Sequence, residues 1–212
     1  VTVLHLARHG ETVWHSENRY AGSSDIALTP KGVGQSQALA RWAEAHGVTD
    51  IHTSDLQRAI QTARPSADAL GLQLHQDARL REVHFGAGEG LTTEEMRVSF
   101  PGALQSYRRA PATSPLPTAE SGQHAVDRAW PALHEIAGRR DGREPGNAHP
   151  ERVALIVMHS TLLRLILCQT LGIPLDAYRT AFPTVINVAI TTISLPRDGR
   201  SGGSLLAYNT PV

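Results

Sequence analysis

Arg152-Val153-Ala154-Leu155-Ile156-Val157-Met158 is an apolar run of strand length with no polar alternation, so it has no face to offer to water. A strand of this kind must be covered on both sides, as in a parallel sheet flanked by helices. Val1-Thr2-Val3-Leu4-His5-Leu6 has the same character at the start of the chain. Helical and shorter strand patterns alternate between them. Thr29-Pro30 reads as an N-cap followed by proline at the first helical position, and that helix should reach Ala45 or His46 and stop at Gly47. Asp50-Ile51-His52-Thr53 is a short strand, followed by a helix capped by Ser54 or Asp55 and bent at Pro65. Leu72-Gln73-Leu74-His75 reads as a third strand.

Farther along, Thr92 or Thr93 opens a helix that should end by Pro101-Gly102, with Glu94 and Glu95 near its positive end. Ala110 to Gly122 is a proline-containing loop of the length usual for an active-site lid or a disordered segment. A helix from His124 to Arg139 and a polar surface loop from Gly138 to Glu151 lead into the buried strand. A helix from Thr161 to Leu171 then stops at Gly172 and Pro174, and strands around Val185–Ser194 and Leu205–Tyr208 form a closing hairpin. This alternation implies an α/β fold: a single three-layer α/β/α domain over residues 1–212, its mostly parallel sheet covered by helices on both faces.

Composition excludes several function classes. With 20 basic and 20 acidic residues the formal net charge is +0, so neither nucleic acid nor an anionic membrane is an expected partner. No apolar run is long enough to span a bilayer, since Arg164 interrupts the one around Leu162–Cys168. The lone cysteine, Cys168, lies in that run as an expected inert thiol, which fits a reducing compartment. The first residues read as a strand without a basic leader, and a cytoplasmic location is expected. The 11 histidines show no H-x-H, H-E-x-x-H or paired Cys/His spacing, so no metal site is expected. Oligomeric state is left open, a homo-oligomer included.

Two of the apolar strands end in histidine, at Arg8-His9 and Met158-His159. In an open α/β sheet, ligands bind beyond the carboxyl ends of the strands. If the two strands are neighbours, both imidazoles emerge into one crevice. Arg58, at the start of the helix after the second strand, can point there too, or lie solvated on the helix surface. Together with Arg8 these side chains would cradle a phosphate-sized dianion.

Arg8-His9-Gly10-Glu11-Thr12, then Glu17-Asn18-Arg19-Tyr20-Ala21-Gly22, then Leu28-Thr29-Pro30-Lys31-Gly32 resemble the opening of the histidine phosphatase superfamily. More narrowly, they resemble its branch of cofactor-dependent phosphoglycerate mutases and small phosphatases. Thr53-Ser54-Asp55-Leu56-Gln57-Arg58-Ala59, Leu80-Arg81-Glu82, Glu120-Ser121, and His159 followed by Leu163-Arg164 continue the match in family order. The resemblance implies that His9 attacks phosphorus and becomes a phosphohistidine, while Arg8 and Arg58 bind the phosphoryl oxygens. His159 would complete the pocket as a hydrogen-bond donor, unless it is a structural strand-end histidine. Glu82 would protonate the leaving oxygen, a role for which burial beside phosphate should raise its pKa; the alternative is a surface salt bridge to Arg79 or Arg81. Asn18 and Thr12 are candidate phosphate donors, and Arg19 and Glu11 loop braces. Arg108-Arg109 resembles an arginine pair that holds substrate carboxylate or phosphate in the mutases.

The chain departs from the pattern in three places. His84 stands where an aspartate is usual, Gly88 where a tryptophan is usual, and Ser160 where a glycine follows the second histidine. Gly88 should widen the substrate pocket, His84 could read the leaving group or hydrogen-bond locally, and Ser160 brings a hydroxyl near the phosphate. The resulting expectation is a phosphomonoesterase acting on a small-molecule phosphate ester with no cofactor and no metal. A phosphoglycerate-type mutase and a non-catalytic phospholigand sensor are the alternatives.

Overall fold

A computed structural model describes residues 2–138, 152–196 and 202–212. The elements in chain order are β1 (Thr2–Arg8), α1 (Val13–Ser16), α2 (Pro30–Ala45), β2 (Asp50–Thr53), α3 (Gln57–Leu70) and β3 (Leu74–Gln76). There follow α4 (Thr93–Ser99), α5 (Pro101–Arg109), α6 (Gly122–Gly138), β4 (Ala154–Met158), α7 (Ser160–Leu171), α8 (Tyr178–Ala181), β5 (Ile190–Leu195) and β6 (Ser204–Thr210). One six-stranded sheet runs in the order β3-β2-β4-β1-β5-β6. Its first four strands are parallel, and β5 and β6 complete it antiparallel. The polar stretch expected as a surface loop and the turn of the closing hairpin lie outside the described residues.

The two central apolar runs are neighbours, with Leu4 opposite Ala154 and Arg8 opposite Met158. Alternation along them divides the core. Leu4, Leu6, Ala154, Ile156 and Met158 face α6 and α7, where they meet Leu133, Leu163 and Ile166. Ala7, Leu155 and Val157 face α2 and α3, against Leu39, Ala43, Ala59 and Ala63. Both faces of β4 are thereby buried, which is why its sequence carries no polar residue.

Several expected boundaries shift for identifiable reasons. Leu56, not Ser54 or Asp55, is the N-cap of α3, and the carboxylate of Asp25 accepts from the Gln57 N–H at 3.0 Å, so the cap comes from another loop. Pro101 does not only stop α4. It occupies the first turn of α5, where its missing N–H costs nothing, and an additional helix follows. The third strand begins at Leu74 rather than Leu72. A short helix, α1, interrupts the loop between residues 8 and 28.

The 110–119 segment is neither disordered nor a lid. Ala112 and Leu116 are buried, and the Asp176 carboxylate accepts from the N–H groups of Ala112 and Thr113 at 2.8 and 3.0 Å. Gly88 does not open a pocket either. It is buried, and a Cβ there would lie 2.5 Å from Leu116 Cδ1, so the missing side chain makes room for Leu116. Among the described residues, no helix is long and apolar enough to cross a membrane.

Candidate active site

The register of β1 and β4 decides where the chemistry sits. Because Arg8 pairs with Met158, His9 and His159 are the first residues beyond the paired strand ends, and the His9 N–H donates to the Met158 carbonyl at 2.9 Å. Their ring centroids are 5.1 Å apart. The expected convergence of the two strand-end histidines therefore occurs.

His9 has a defined tautomer. A carbonyl oxygen can only accept, so its Nδ1–H donates to the Gly10 carbonyl at 2.7 Å and the lone pair is left on Nε2. The Arg58 Nε–H donates to that Nε2 at 3.3 Å. Burial, and then the charges of Arg58 and Arg8, hold the His9 pKa well below its ordinary value. The imidazole is thus neutral near pH 7, and its Nε2 lone pair is engaged only by the long 3.3 Å contact from Arg58. His159 is fully buried, and neither of its ring nitrogens has a hydrogen-bond partner among the described residues. Most buried polar side-chain atoms have a hydrogen-bond partner, so this imidazole stands out.

Arg58 is not a surface residue. It is fully buried, its Nη1 donates to the Ser24 carbonyl and its Nη2 to the Gly22 carbonyl, both at 2.7 Å. Arg58 therefore ties the loop over His9 while its Nε addresses the imidazole. Thr62, one turn farther along α3, accepts from the Gly10 N–H at 2.9 Å and donates to the Arg58 carbonyl at 2.7 Å. Gly10 itself packs backbone against backbone, since a Cβ would stand 2.8 Å from the Gly32 carbonyl oxygen. The same approach requires Gly32, where a Cβ would be 2.1 Å from the Glu11 oxygen, so these two motif glycines are one feature.

A cleft of about 440 Å³ opens over this group. Its walls include Arg8, His9, Thr12, His15, Asn18, Glu82, Ser160, Arg164 and Arg179. Arg8 donates from Nη1 to the Val185 carbonyl at 2.7 Å, contacts His15 Nε2 through Nη2, and has a buried Nε without a partner among the described residues. Burial lowers its pKa to about 10, which leaves it charged at neutral pH.

Glu82 is buried and makes no ion pair with Arg79 or Arg81, which bind Asp77 and Glu135 and Asp55 instead. Its Oε1 accepts from the N–H groups of Val83 and Leu162, and its Oε2 from that of Thr161, all at 2.9 Å. The first turn of α7, opened by His159 as N-cap, thus clamps the carboxyl group and leaves one lone pair of Oε2 available.

The substrate-binding candidates divide. Asn18, Thr12 and Ser160 line the cleft, although Thr12 shares its hydroxyl with His15 Nδ1 at 2.9 Å. His84 and Arg108 are not among the cleft-lining side chains. His84 is exposed, and its Nδ1 accepts from the Gly86 N–H at 3.2 Å, a local bond. Arg108 lies on the exposed face of α5. Arg19 and Glu11 brace the loop as expected, through Glu17 and Glu95 and through Lys31.

Four residues in or behind the site carry no signal in local sequence patterning. His15 sits on the cleft wall with its ring 5.7 Å from that of His9, and burial followed by the Arg8 charge lowers its pKa to about 4. Arg128 of α6 binds Glu120 at 2.7 Å and donates to the Arg79 and Glu82 carbonyls, which holds the turn carrying Glu82. The carboxylate of Glu89 accepts from the Gly22 and Ser24 N–H groups at 2.9 Å, fixing the carbonyls that bind Arg58. Arg179 reaches the cleft from α8.

The histidine phosphatase superfamily (branch 1) model matches residues 4–208. The probable phosphoglycerate mutase GpmB of Enterobacter sp. (strain 638) is 34% identical over 176 residues, covering 83% of this chain and 78% of that protein. A mycobacterial glucosyl-3-phosphoglycerate phosphatase structure in complex with VO3 superposes with a TM-score of 0.87 at 28% identity, covering 99% of this chain and 100% of that one. Bacillus stearothermophilus YhfR superposes with a TM-score of 0.86 at 30% identity, over 99% and 98% of the two chains. A neutral strand-end histidine between two arginines, with a second buried histidine beside it, coincides with this match over nearly the full length, and the chain belongs to the histidine phosphatase superfamily.

Proposed function

We propose that this protein is a phosphomonoesterase that hydrolyses a small phosphorylated metabolite through a phosphohistidine on His9. The observation that carries the reading is the His9 tautomer: Nδ1 is committed to the Gly10 carbonyl, which leaves the lone pair on Nε2, where only the long 3.3 Å contact from Arg58 has to give way to phosphorus. In the first step Nε2 bonds to phosphorus and the ester P–O bond breaks. The Glu82 carboxyl gives its proton to the departing oxygen. In the second step a water oxygen attacks phosphorus, its proton passes to the Glu82 carboxylate, the N–P bond breaks, and inorganic phosphate leaves. Arg8, Arg58 and His159 stabilise the charge that spreads over the phosphoryl oxygens.

The mutase alternative uses the same first step and is favoured by the names of curated relatives such as the GpmB protein. A mutase must keep water from its phosphoenzyme while the intermediate turns. No residue from 110 to 119 lines the cleft here, so that segment provides no cover, and the glucosyl-3-phosphoglycerate phosphatase neighbour supports hydrolysis.

The test combines two measurements. Rapid acid-free quenching during turnover of p-nitrophenyl phosphate should trap phosphate on His9, and His9→Ala should lose at least about 10³-fold in kcat. Label on another residue would remove the assignment. With 3-phosphoglycerate and catalytic 2,3-bisphosphoglycerate, free phosphate should accumulate; rapid formation of 2-phosphoglycerate with little phosphate would establish the mutase instead.

A further inference from the structure

The cleft contains cations that the chemistry at His9 does not use. Arg164 of α7 and Arg179 of α8 both line it. Arg19 lines it too, but its charge is matched by Glu17 at 2.6 Å and Glu95 at 2.8 Å. Among the described residues, neither Arg164 nor Arg179 forms an ion pair with a carboxylate.

Arg179 is held by neutral groups instead. Its Nε donates to the Tyr178 hydroxyl at 3.0 Å, and its Nη2 to the hydroxyls of Tyr107 and Tyr20 at 2.7 and 3.4 Å. The guanidinium also lies 4.9 Å from the centre of the Tyr107 ring. Phenols and ring faces fix its direction without neutralising it, and none of these bonds uses Nη1. Arg164 donates from Nη2 to the Pro183 carbonyl at 2.9 Å, while its buried Nε has no partner among the described residues. Arg164 and Arg179 share the walls of this one cleft with Arg8 and His9. Glu82, the carboxylate on the same wall, has three of its acceptor positions filled by backbone N–H groups. A pre-oriented, unpaired arginine pair on a half-buried wall suits a planar or tetrahedral anion.

We propose that Arg164 and Arg179 form a second anion subsite, so that the group leaving phosphorus carries its own negative charge, a carboxylate or a second phosphate. The inference rests on the phosphoryl group being bound at His9. It narrows the substrate class from phosphate monoesters in general to esters of anionic alcohols.

Calorimetry with alkylphosphonates of about two to six carbons tests it, each length ending in a carboxylate, a phosphonate or a hydroxyl. At one chain length a charged end should bind at least about tenfold more tightly than the hydroxyl end, as expected for a charge-assisted bidentate contact. The ratio should fall toward one in Arg179→Met and in Arg164→Met, each checked for folding by circular dichroism. A preference for carboxylate or for phosphonate identifies the anion. Equal affinities for charged and hydroxyl ends at every length, or a ratio that survives in both variants, would overturn the subsite. If one variant does not fold, the other and the wild-type ratios still decide it. Turnover of p-nitrophenyl phosphate by the wild-type protein reads the hydrolase separately. Charged-end preference without turnover would remove hydrolysis and keep the subsite, and turnover without preference would do the reverse.

Discussion

At the scale of residues, protonation states organise the site. His9 and His159 both have pKa values held well below the ordinary 6.5, first by burial and then by neighbouring cations, Arg58 foremost. Their folded-state values lie below those of the unfolded chain, so above about pH 6.5 they cost the fold nothing. As the pH falls, the unfolded chain takes up protons that the native state refuses, and each group then removes stability at about 1.4 kcal/mol per pH unit. Thermal denaturation should therefore show Tm falling from about pH 6.5 downward toward the folded-state values. The slope should be shallower in His159→Gln, and equal slopes in the two proteins would contradict this account. Glu82 makes a second residue-level prediction. If it is the proton donor, Glu82→Gln should lose about 10²- to 10⁴-fold in kcat on alkyl phosphates and far less on p-nitrophenyl phosphate, whose leaving group hardly needs a proton. Equal losses would move the acid elsewhere. His84, two residues on, does not line the cleft; it is exposed and bonded to its own turn.

At the scale of elements, close backbone approaches set the loops around the site. Gly86 has φ +55, and a Cβ there would lie 2.2 Å from the Pro117 oxygen and 2.4 Å from the Ala119 nitrogen. Neither is the end of a flexible side chain, so nothing can swing aside. Gly86→Ala should destabilise by about 2 kcal/mol or more and lower Tm by about 5 °C; an unchanged Tm would mean that the 110–119 segment yields easily. The turn between Glu82 and α6 depends on Arg128 in the same way. Its guanidinium joins Glu120 to two carbonyls of the turn carrying the proposed acid. Arg128→Ala should cost about 1.5–3 kcal/mol of stability. It should also lower kcat on alkyl phosphates more than it raises KM, because the acid loses its position while phosphate binding keeps Arg8. A change in KM alone would assign Arg128 a binding role.

At the scale of the whole molecule, the distribution of charge matters more than its total. The chain is neutral overall, yet among the described residues Arg8, Arg58, Arg164 and Arg179 lack a carboxylate ion pair, and three of them line one cleft. Positive charge concentrated in a low-dielectric cleft raises the local concentration of anions. These side chains can supply the charge stabilisation that a divalent cation supplies in other phosphoryl-transfer enzymes. Activity should accordingly survive exhaustive chelation with EDTA, and loss followed by recovery on adding Mg²⁺ or Zn²⁺ would show that the cleft charge is insufficient.

The sequence by itself determined the sheet and its helical cover. Apolar continuity in residues 153–158 admits burial on both faces only, and the Thr-Pro and glycine signals around α2 act through local backbone chemistry that needs no tertiary context. It also marked His9 and His159, because a polar residue ending a buried strand is visible as a break in the apolar run. Tertiary structure decided what depended on distant partners. Register placed the two histidines 5.1 Å apart, and the packing of Leu116 made Gly88 a core position rather than an opening. Asp25 replaced the local cap of α3, and α5 left Arg108 outside the cleft while α8 brought Arg179 into it. Periodicity records which side chains a segment buries against its neighbours, but it carries no information on which segment, tens of residues away, becomes the neighbour.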